Sequence, residues 1–328
     1  MNTKDFVINW QEIANIWDDF VEESPQGTVF AKTEFLNSLG VPFQVITVYF
    51  RHKIVAGTVI LFSEDSKILP APFPFTPYQG LLLADNFAKT DHKRNCEEFF
   101  IVTWFLEKLI EKFDKISLAH SWQLQDIRPF QWYNYHTPEK GKFEVQLRYT
   151  GILKLKKFDT FDFYLSCIRA VRRQEMRKAI KNKLSIQVSE NIHILDKLNR
   201  EVWARQGIEN IEKESYLLKA ITDKSLTKGF GTLKVCYLDT IPISAILFLF
   251  DRKRGYYMFA GNNSEYRESG GSTFLLLNLI EECFKRNLQE VDFVGVNSPN
   301  RGDYKLSFNP EIKPYFVTDF NTNLNLYK

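Results

Sequence analysis

The stretch at 266–287, YRESGGSTFLLLNLIEECFKRN, places a basic residue, two glycines and two hydroxyl residues directly before an apolar helical pattern. Glycine lets a backbone approach a ligand closely, and the first turn of a helix offers unpaired N–H donors and the positive end of the helix dipole. Hydroxyl groups add donors, and arginine adds a fixed charge suited to phosphate. We therefore predict an anion-binding helix start; the alternative is a plain turn before a core helix, with serine as its N-cap. The residues concerned are Arg267, Gly270, Gly271, Ser272 and Thr273.

The elements around this stretch make its pattern more specific. A strand-like run at 255–261 precedes it, and another, EVDFVG at 290–295, follows the helix. This order resembles the Gcn5-related N-acetyltransferase (GNAT) fold, whose phosphate-binding signature is Q/R-x-x-G-x-G/A. Arg267, Gly270 and Ser272 occupy that pattern, with serine in place of the last small residue. The resemblance implies that the helix start holds the pyrophosphate of an acyl-CoA.

Two further segments resemble the FemAB-type branch of that superfamily. They are the basic run RAVRRQEMRKAIKNK at 169–183, ahead of a strand, and DFVGVNSPNRGDYKLSF at 292–308. The resemblance implies an α/β (α+β) fold of two tandem GNAT-like domains, each a mixed, mainly antiparallel sheet flanked by helices, with the substrate between them. We place the domains at 1–155 and 156–328, with the C-terminal strand at 312–328 as a candidate to complete the first.

Three residues are candidates for catalysis. The resemblance implies that Lys305, in the Y/F-K-x-x-F motif, faces the reacting groups and stabilises developing negative charge. Asp292 lies on a short strand opposite its apolar neighbours, and either it or Asp303 could accept a proton from the attacking group. A structural role for either acid is an equal alternative.

Substrate-binding candidates come from three other places. The basic helix carries far more cations than acids, which suits either an ordinary solvated face or an anion-binding wall. The family resemblance implies the wall, because in that branch this helix borders the donor or acceptor cleft. The aromatic segment 120–136 suits either ring stacking on a sugar or a place in the core, and the proline-rich loop at 70–78 should approach the same cleft. The residues chosen there are Arg173, Arg177, Lys178, Tyr78 and Trp132, and Tyr304, which directly precedes Lys305, is a sixth candidate.

Composition bounds the class of protein. The chain has 328 residues, a formal charge of +3, which is too small to indicate nucleic-acid binding by itself, and 44% hydrophobic residues. The longest strongly apolar run, 241–250, is too short to span a bilayer. With no signal-peptide pattern at the start, we expect a cytoplasmic protein, with peripheral membrane contact left open. The four cysteines and five histidines show no metal-ligand spacing, so we expect no metal.

The function we predict is transfer of an acyl group from acyl-CoA to an amine or hydroxyl of a cell-envelope precursor, such as a nucleotide-linked amino sugar. The partners are then a small-molecule donor and a sugar-type acceptor. Two alternatives remain: an aminoacyl-tRNA donor, which the modest net charge weakly disfavours, and a GNAT-like scaffold that binds without chemistry.

Overall fold

The structure is a computed structural model, which describes residues 3–85, 88 and 90–321. The chain divides into two compact units. The first comprises residues 1–37, 41–148 and 314–328, and the second comprises residues 38–40 and 149–313. Both combine helices with mainly antiparallel strands, as the fold-class prediction expects. The predicted domain limits, 1–155 and 156–328, stay a prediction.

The first unit contains a sheet in the strand order β1-β2-β3-β4, with antiparallel neighbours throughout. A second pair of strands is formed by β5 and the C-terminal strand β12, also antiparallel. The strands are β1 (Phe6–Asn9), β2 (Phe43–Phe50), β3 (Lys53–Leu61), β4 (Leu82–Leu83), β5 (Lys115–Ala119), β6 (Phe143–Lys154), which enters the second unit at Tyr149, and β12 (Glu311–Asn321). The helices are α1 (Ala14–Glu23), α2 (Thr33–Leu36), α3 (Asp91–Lys112) and α4 (Arg128–Gln131).

The strand-like runs at 43–50 and 54–62 predict a hairpin, and it is confirmed as β2 and β3. Its two-residue connection, Arg51 and His52, has φ angles of 47° and 70°, the left-handed conformation that tight hairpin turns require. The short strand β1 was not predicted. It has only four residues and exposes Val7, so its alternation is too brief to read.

The core of the first unit lies between the strands and α3. The apolar side of α3 supplies Ile101, Val102, Phe105, Leu106 and Leu109, all buried. Trp17 of α1 is fully buried, and its indole donates to the backbone carbonyl of Ala31 at 2.7 Å. Gly57 makes room for that ring, because a side chain there would lie 2.6 Å from it.

The second unit has one sheet in the strand order β6-β11-β10-β9-β8-β7. Its strands are β7 (Ser185–Val188), β8 (Gly231–Leu238), β9 (Ile241–Phe250), β10 (Arg254–Asn262) and β11 (Glu290–Asp292), joined by the part of β6 from Tyr149. Its helices are α5 (Phe161–Cys167), α6 (Ala170–Lys181), α7 (Ile192–Arg205), α8 (Ile211–Thr227), α9 (Gly271–Lys285) and α10 (Pro299–Leu306). The buried face of α9 packs on the sheet and fills the core of this unit.

The residue pattern at 158–182 predicts a single long helix, and this prediction is wrong, since the chain forms α5 and α6 with a break between them. Ile168 and Arg169 adopt ψ angles of 162° and 135°, and Ile168 is buried in the core. The guanidinium of Arg173 donates to the carbonyls of Ser166 and Ile168, both at 2.7 Å. Burial of one apolar residue and capping of the freed carbonyls stabilise the break.

Candidate functional site

The candidate site begins where two parallel strands of the second unit separate. β10 and β11 pair in parallel from Arg254 with Glu290 to Tyr256 with Asp292. β11 ends there, whereas β10 continues to Asn262. The carboxyl-terminal half of β10 therefore extends beyond the end of β11, and the segments that follow the two strands supply most of the predicted site residues.

Asp292, the last residue of β11, is fully buried and organises the turn that follows it. Its Oδ1 accepts hydrogen bonds from the Thr150 hydroxyl and the Val294 amide, both at 2.7 Å. The Thr150 hydroxyl in turn accepts from the Gly295 amide at 3.1 Å. Val294 has φ of +53°, a strained conformation for a β-branched residue. The carboxylate of Asp292 thus holds a strained turn.

Lys305, on α10, binds the same turn from another direction. Its Nζ donates to the carbonyls of Phe293 at 2.6 Å and Gly295 at 2.9 Å. Burial lowers the pKa of Lys305 to about 8; the positive charge of Arg301 acts in the same direction, and the carboxylate of Asp292 opposes both. The structure therefore brings Lys305 and Asp292 together around residues 293–295.

Asp303, the third catalytic candidate, lies apart from that turn. Its carboxylate is exposed and pairs with Arg169 at 3.1 Å. The contacts of Asp303 hold α10 against the residue that precedes α6, and its predicted catalytic role stays a prediction.

Tyr304 connects α10 to the first turn of α9. Its hydroxyl lies 3.3 Å from the hydroxyl of Thr273, and the guanidinium of Arg172 stacks on its ring at 4.8 Å. Thr273 donates to Glu175 Oε2 at 2.5 Å, and Arg172 pairs with the same oxygen at 2.7 Å. Burial raises the pKa of Tyr304 to about 12, so it remains a neutral hydroxyl at neutral pH.

Arg172 and Glu175, both on α6, were missed in the sequence. The basic run at 169–183 was predicted to bind a ligand, and Glu175 is the only acidic residue within it. The structure places that acid beside the predicted phosphate-binding turn. No local pattern signals this, because the contact depends on how α6 packs against α9.

The glycines that begin α9 have steric reasons for being glycine. Gly270 has φ of +84°, and a side chain there would lie 2.3 Å from the carbonyl oxygen of Glu175. A side chain at Gly271 would lie 2.7 Å from Ile243. These close approaches account for both residues without a ligand, so the Gly-Gly pair alone does not distinguish a phosphate site from a helix-packing site.

The amides of this turn supply a better argument for an anion site. α9 has no side-chain cap at its start and no acidic residue in its first turn. The Gly271 amide donates to the Ser269 hydroxyl at 3.2 Å, whereas within the described ranges the amides of Ser272 and Thr273 have no acceptor. The Ser272 hydroxyl donates to Ser244 at 3.1 Å. Two backbone donors at the positive end of a helix dipole are thus available to a ligand.

Arg267 lies in the 3-10 helix Ser264–Ser269 that leads into α9, and it is exposed. In the part of the chain that the structure describes, it forms no ion pair. Arg205, at the end of α7, donates to Asn262 Oδ1 at 2.8 Å, and its pKa is lowered by burial and then by the positive charge of Arg267. Two cationic groups therefore lie near the end of β10, and Arg205 was not predicted.

The basic helix α6 divides into two functional halves. Arg173 is committed to capping α5, as described above. Arg177 and Lys178 are exposed, and neither has an ion-pair partner among the described residues. Only this second half has cations available to an external ligand.

The two predicted substrate residues in the first unit have opposite environments. Tyr78 is 3% exposed, and its ring packs edge-on against the rings of Phe30 and Tyr315. Trp132 is 51% exposed and lies 5.4 Å from the ring of Phe99. Tyr78 is therefore a core residue of this unit, whereas Trp132 presents an aromatic surface.

The described ranges contain neither a cluster of metal-binding side chains nor a helix that could span a membrane. No group of three or more histidine, cysteine, aspartate or glutamate side chains there could hold a metal ion. No helix of that part of the chain is both long and apolar enough to cross a membrane.

The part of the chain that carries this site resembles a known domain family. Residues 167–306 match the acetyltransferase (GNAT) domain family. Among curated proteins, none matches the sequence. The matched residues lie within the second unit.

Solved structures extend the similarity to the whole chain. The crystal structure of FemX aligns with a TM-score of 0.68 at 14% identity, over 94% of this chain and 96% of that one. A conserved protein of unknown function from Bacteroides thetaiotaomicron aligns at 0.61 and 9% identity, over 96% and 100%. A tandem GNAT protein from the clavulanic acid biosynthesis pathway aligns at 0.51 and 10% identity, over 96% and 98%. At these identities the alignments show the fold, a FemAB-like double GNAT fold.

Proposed function

We propose that the protein, whose residues 167–306 match the GNAT domain family, is an acyltransferase that moves an acyl group from acyl-CoA to an amine or hydroxyl of a cell-envelope precursor, such as a nucleotide-linked amino sugar. The observation that carries the donor assignment is the start of α9. Its first turn holds the amides of Ser272 and Thr273, which have no acceptor among the described residues, with the exposed cation of Arg267 nearby. Backbone donors, a helix dipole and a guanidinium together match a pyrophosphate.

In the proposed reaction, the acceptor amine or hydroxyl attacks the thioester carbonyl, a tetrahedral oxyanion forms, and the CoA thiolate leaves. The enzyme contributes by holding the two reactants in line. No covalent enzyme intermediate is required. The proton lost by the acceptor can pass to the leaving thiolate, so the balance needs no further reactant.

Lys305 supports this reaction electrostatically in the proposal. Its cation lies on the turn after β11, beside the point where β10 and β11 part. A positive charge fixed there stabilises an oxyanion that forms between the strands. Asp292 is a poor general base by comparison, because it is fully buried and already accepts two hydrogen bonds.

The test is calorimetric titration of CoA and a short series of acyl-CoAs into the full chain. We expect micromolar binding that weakens at least tenfold in Arg267→Ala. Lys285→Ala is the matched control, because Lys285 lies at the opposite end of α9, and it should leave binding unchanged. Absence of binding to every CoA species would overturn the acyl-CoA donor and leave either another donor or a non-catalytic scaffold.

An aminoacyl-tRNA donor is a second candidate, favoured by the second half of α6 and the turn after it. Exposed cations follow one another there without ion-pair partners in the described part of the chain; they are Arg177, Lys178, Lys181 and Lys183. Such a surface fits a phosphate backbone, and its binding should weaken steeply with salt. A filter-binding titration of tRNA at two salt concentrations, with Arg177→Glu/Lys178→Glu as the variant, separates this candidate from the first.

A further inference from the structure

The first unit contains a cavity of its own, of about 180 Å³. It lies between the first half of α3 and the segment at 123–129, and Gln26 and Leu83 complete its wall. The lining is unusual for a gap in a core, because it combines side-chain amides, carboxylates and a guanidinium with one aromatic ring. The amides are those of Gln26, Asn95, Gln123 and Gln125.

One of its charged groups, Glu98, differs from the others in its contacts. Among the described residues, the half-buried carboxylate of Glu98 forms neither an ion pair nor a hydrogen bond. The other charges of the wall are engaged: Arg94 binds Asp91 at 2.6 Å, and Asp126 is held by Arg128. Burial raises the pKa of Glu98; Arg94 opposes this, and the negative charges of Asp126 and Asp85 add to it. The cavity therefore contains a carboxylate that a cation or a hydroxyl donor would satisfy.

Gln26 supplies a donor of fixed orientation in the same wall. Its Oε1 accepts the backbone amide of Leu83 at 2.9 Å, which identifies the oxygen and leaves the NH2 group as the free end. In the ranges that the structure describes, that NH2 group has no acceptor. Acceptor and donor are thus present in one small cavity: Glu98 is held by α3, and Gln26 by its hydrogen bond to Leu83.

An aromatic surface lies beside these polar groups. Phe99 lines the cavity, and the exposed ring of Trp132 packs on it with centroids 5.4 Å apart. The guanidinium of Arg128 lies 5.4 Å and 5.5 Å from the two ring centroids and holds them in place. A pyranose has an apolar C–H face that suits an aromatic ring, and polar groups around its rim that suit amides and carboxylates.

We propose that this cavity is a sugar-binding site for a single pyranose ring that carries an amino group. Trp132 and Phe99 contact the apolar face, Gln26 donates to a ring hydroxyl, and Glu98 binds the ammonium group. The size fits one ring, since the cavity is smaller than the ~300–1,000 Å³ of typical ligand pockets. The site belongs to the first unit alone, so it does not depend on the reaction proposed for the second.

Ligand-observed NMR titration of glucosamine, N-acetylglucosamine and glucose into the full chain tests the proposal. We expect glucosamine to bind at least fivefold more tightly than the two uncharged sugars. Glu98→Gln should abolish that preference, and Trp132→Ala should weaken all three sugars at least fivefold. The controls are Glu107→Gln, on the same helix, and Tyr135→Ala, an exposed ring that contacts His136 and Lys142 instead of Phe99.

The outcomes separate this proposal from the transfer reaction. Sugar binding that none of the variants alters, or no binding of any sugar to the unmodified chain, would overturn it. Equal binding of the three sugars, lost in Trp132→Ala, would overturn the role of Glu98 and the preference for an amino sugar. Sugar binding in a chain that binds no CoA would uphold this site while overturning the proposed acyl-CoA donor.

Discussion

Both units contain a strand, a helix and a strand in succession, and their helices begin in opposite ways. In the first unit, α3 is capped by Thr90, whose hydroxyl accepts the Lys93 amide at 3.3 Å, and Asp91 places a negative charge in the first turn. In the second unit, α9 begins at Gly270 with no side-chain cap and no acid in its first turn. The same succession of elements thus produces one closed and one open helix start.

The difference shows what a helix start needs in order to bind an anion. The dipole is present in both helices, but in α3 a local side chain uses a donor and Asp91 offsets the positive end. In α9 the Ser269 hydroxyl accepts the Gly271 amide at 3.2 Å, but the amides of Ser272 and Thr273 have no acceptor among the described residues and remain available. The comparison therefore supports the donor site proposed in the second unit, and each prediction below either breaks or sharpens that contrast.

The largest effect should follow from closing the start of α9 by steric means. Gly270→Ala places a side chain at φ +84° and 2.3 Å from the Glu175 carbonyl. Left-handed strain and a backbone clash together should lower the free energy of unfolding by about 2–5 kcal/mol. Urea unfolding measures the loss. Gly229→Ala is the matched control, because Gly229 has φ +73° in open space, and it should cost about 1 kcal/mol. Equal losses would show that α6 does not pack against Gly270 in solution.

A smaller effect is expected from Lys305→Met, which removes the cation from the turn at 293–295. Two carbonyls lose their donor, so unfolding should become easier by about 1–3 kcal/mol. The native pKa of about 8 lies below the ordinary 10.5. Between these values the unfolded chain holds a proton that the folded chain has released, so stability rises with pH relative to the variant.

Unfolding measured at several pH values from 7 to 10 checks this sign. Below pH 8 the difference between the two proteins should be flat, and it should grow in favour of the unmodified chain above pH 8. Lys285→Met, with its exposed side chain at the end of α9, should show no such divergence. If the stability difference between the two proteins shrinks as the pH rises, the carbonyls of the turn stabilise the charged form of Lys305 by more than burial destabilises it.

The contrast between the helix starts could be read only in part from the sequence. The apolar period of α9, the strands on either side and the signature around Arg267 are local, and all could be predicted. The neighbours of that site are not local. Glu175 reaches Thr273 because α6 packs against α9, and that packing depends on the break at Ile168, which a continuous helical pattern conceals.

The same limit applies to the first unit. Trp132 could be proposed as a sugar contact from its type and its aromatic surroundings. Glu98 could not, because on the helical pattern of α3 it is one acid among several. Its lack of a partner becomes visible only when Gln26, Leu83 and the segment 123–129 are seen around it.

Opening the capped helix start of the first unit should have a modest effect on stability. Thr90→Ala removes the N-cap of α3 and should cost about 1 kcal/mol of unfolding free energy. Calorimetric CoA binding should be unchanged, because Asp91 still offsets the dipole. Ser272→Ala is the counterpart in α9, where the serine caps nothing, so it should cost less. Loss of CoA binding in Thr90→Ala would move the donor to the first unit.

The smallest expected effect concerns Glu175, whose carboxylate places a negative charge beside the start of α9. Its carboxylate lies against Thr273, where a negative charge opposes a bound phosphate. Glu175→Gln keeps an oxygen for the Thr273 hydroxyl and removes the charge. Charge effects at a helix start are worth about 0.3–1 kcal/mol, so CoA should bind about two- to fivefold more tightly by calorimetry.

Salt and a control variant identify the cause. The gain in Glu175→Gln should diminish at high ionic strength, as a charge effect must. Glu281→Gln, towards the other end of α9, should leave affinity unchanged. Weaker binding in Glu175→Gln would mean that the carboxylate positions Thr273 and Arg172 for the donor, and the open start of α9 would then depend on an acid from α6 instead of being opposed by it.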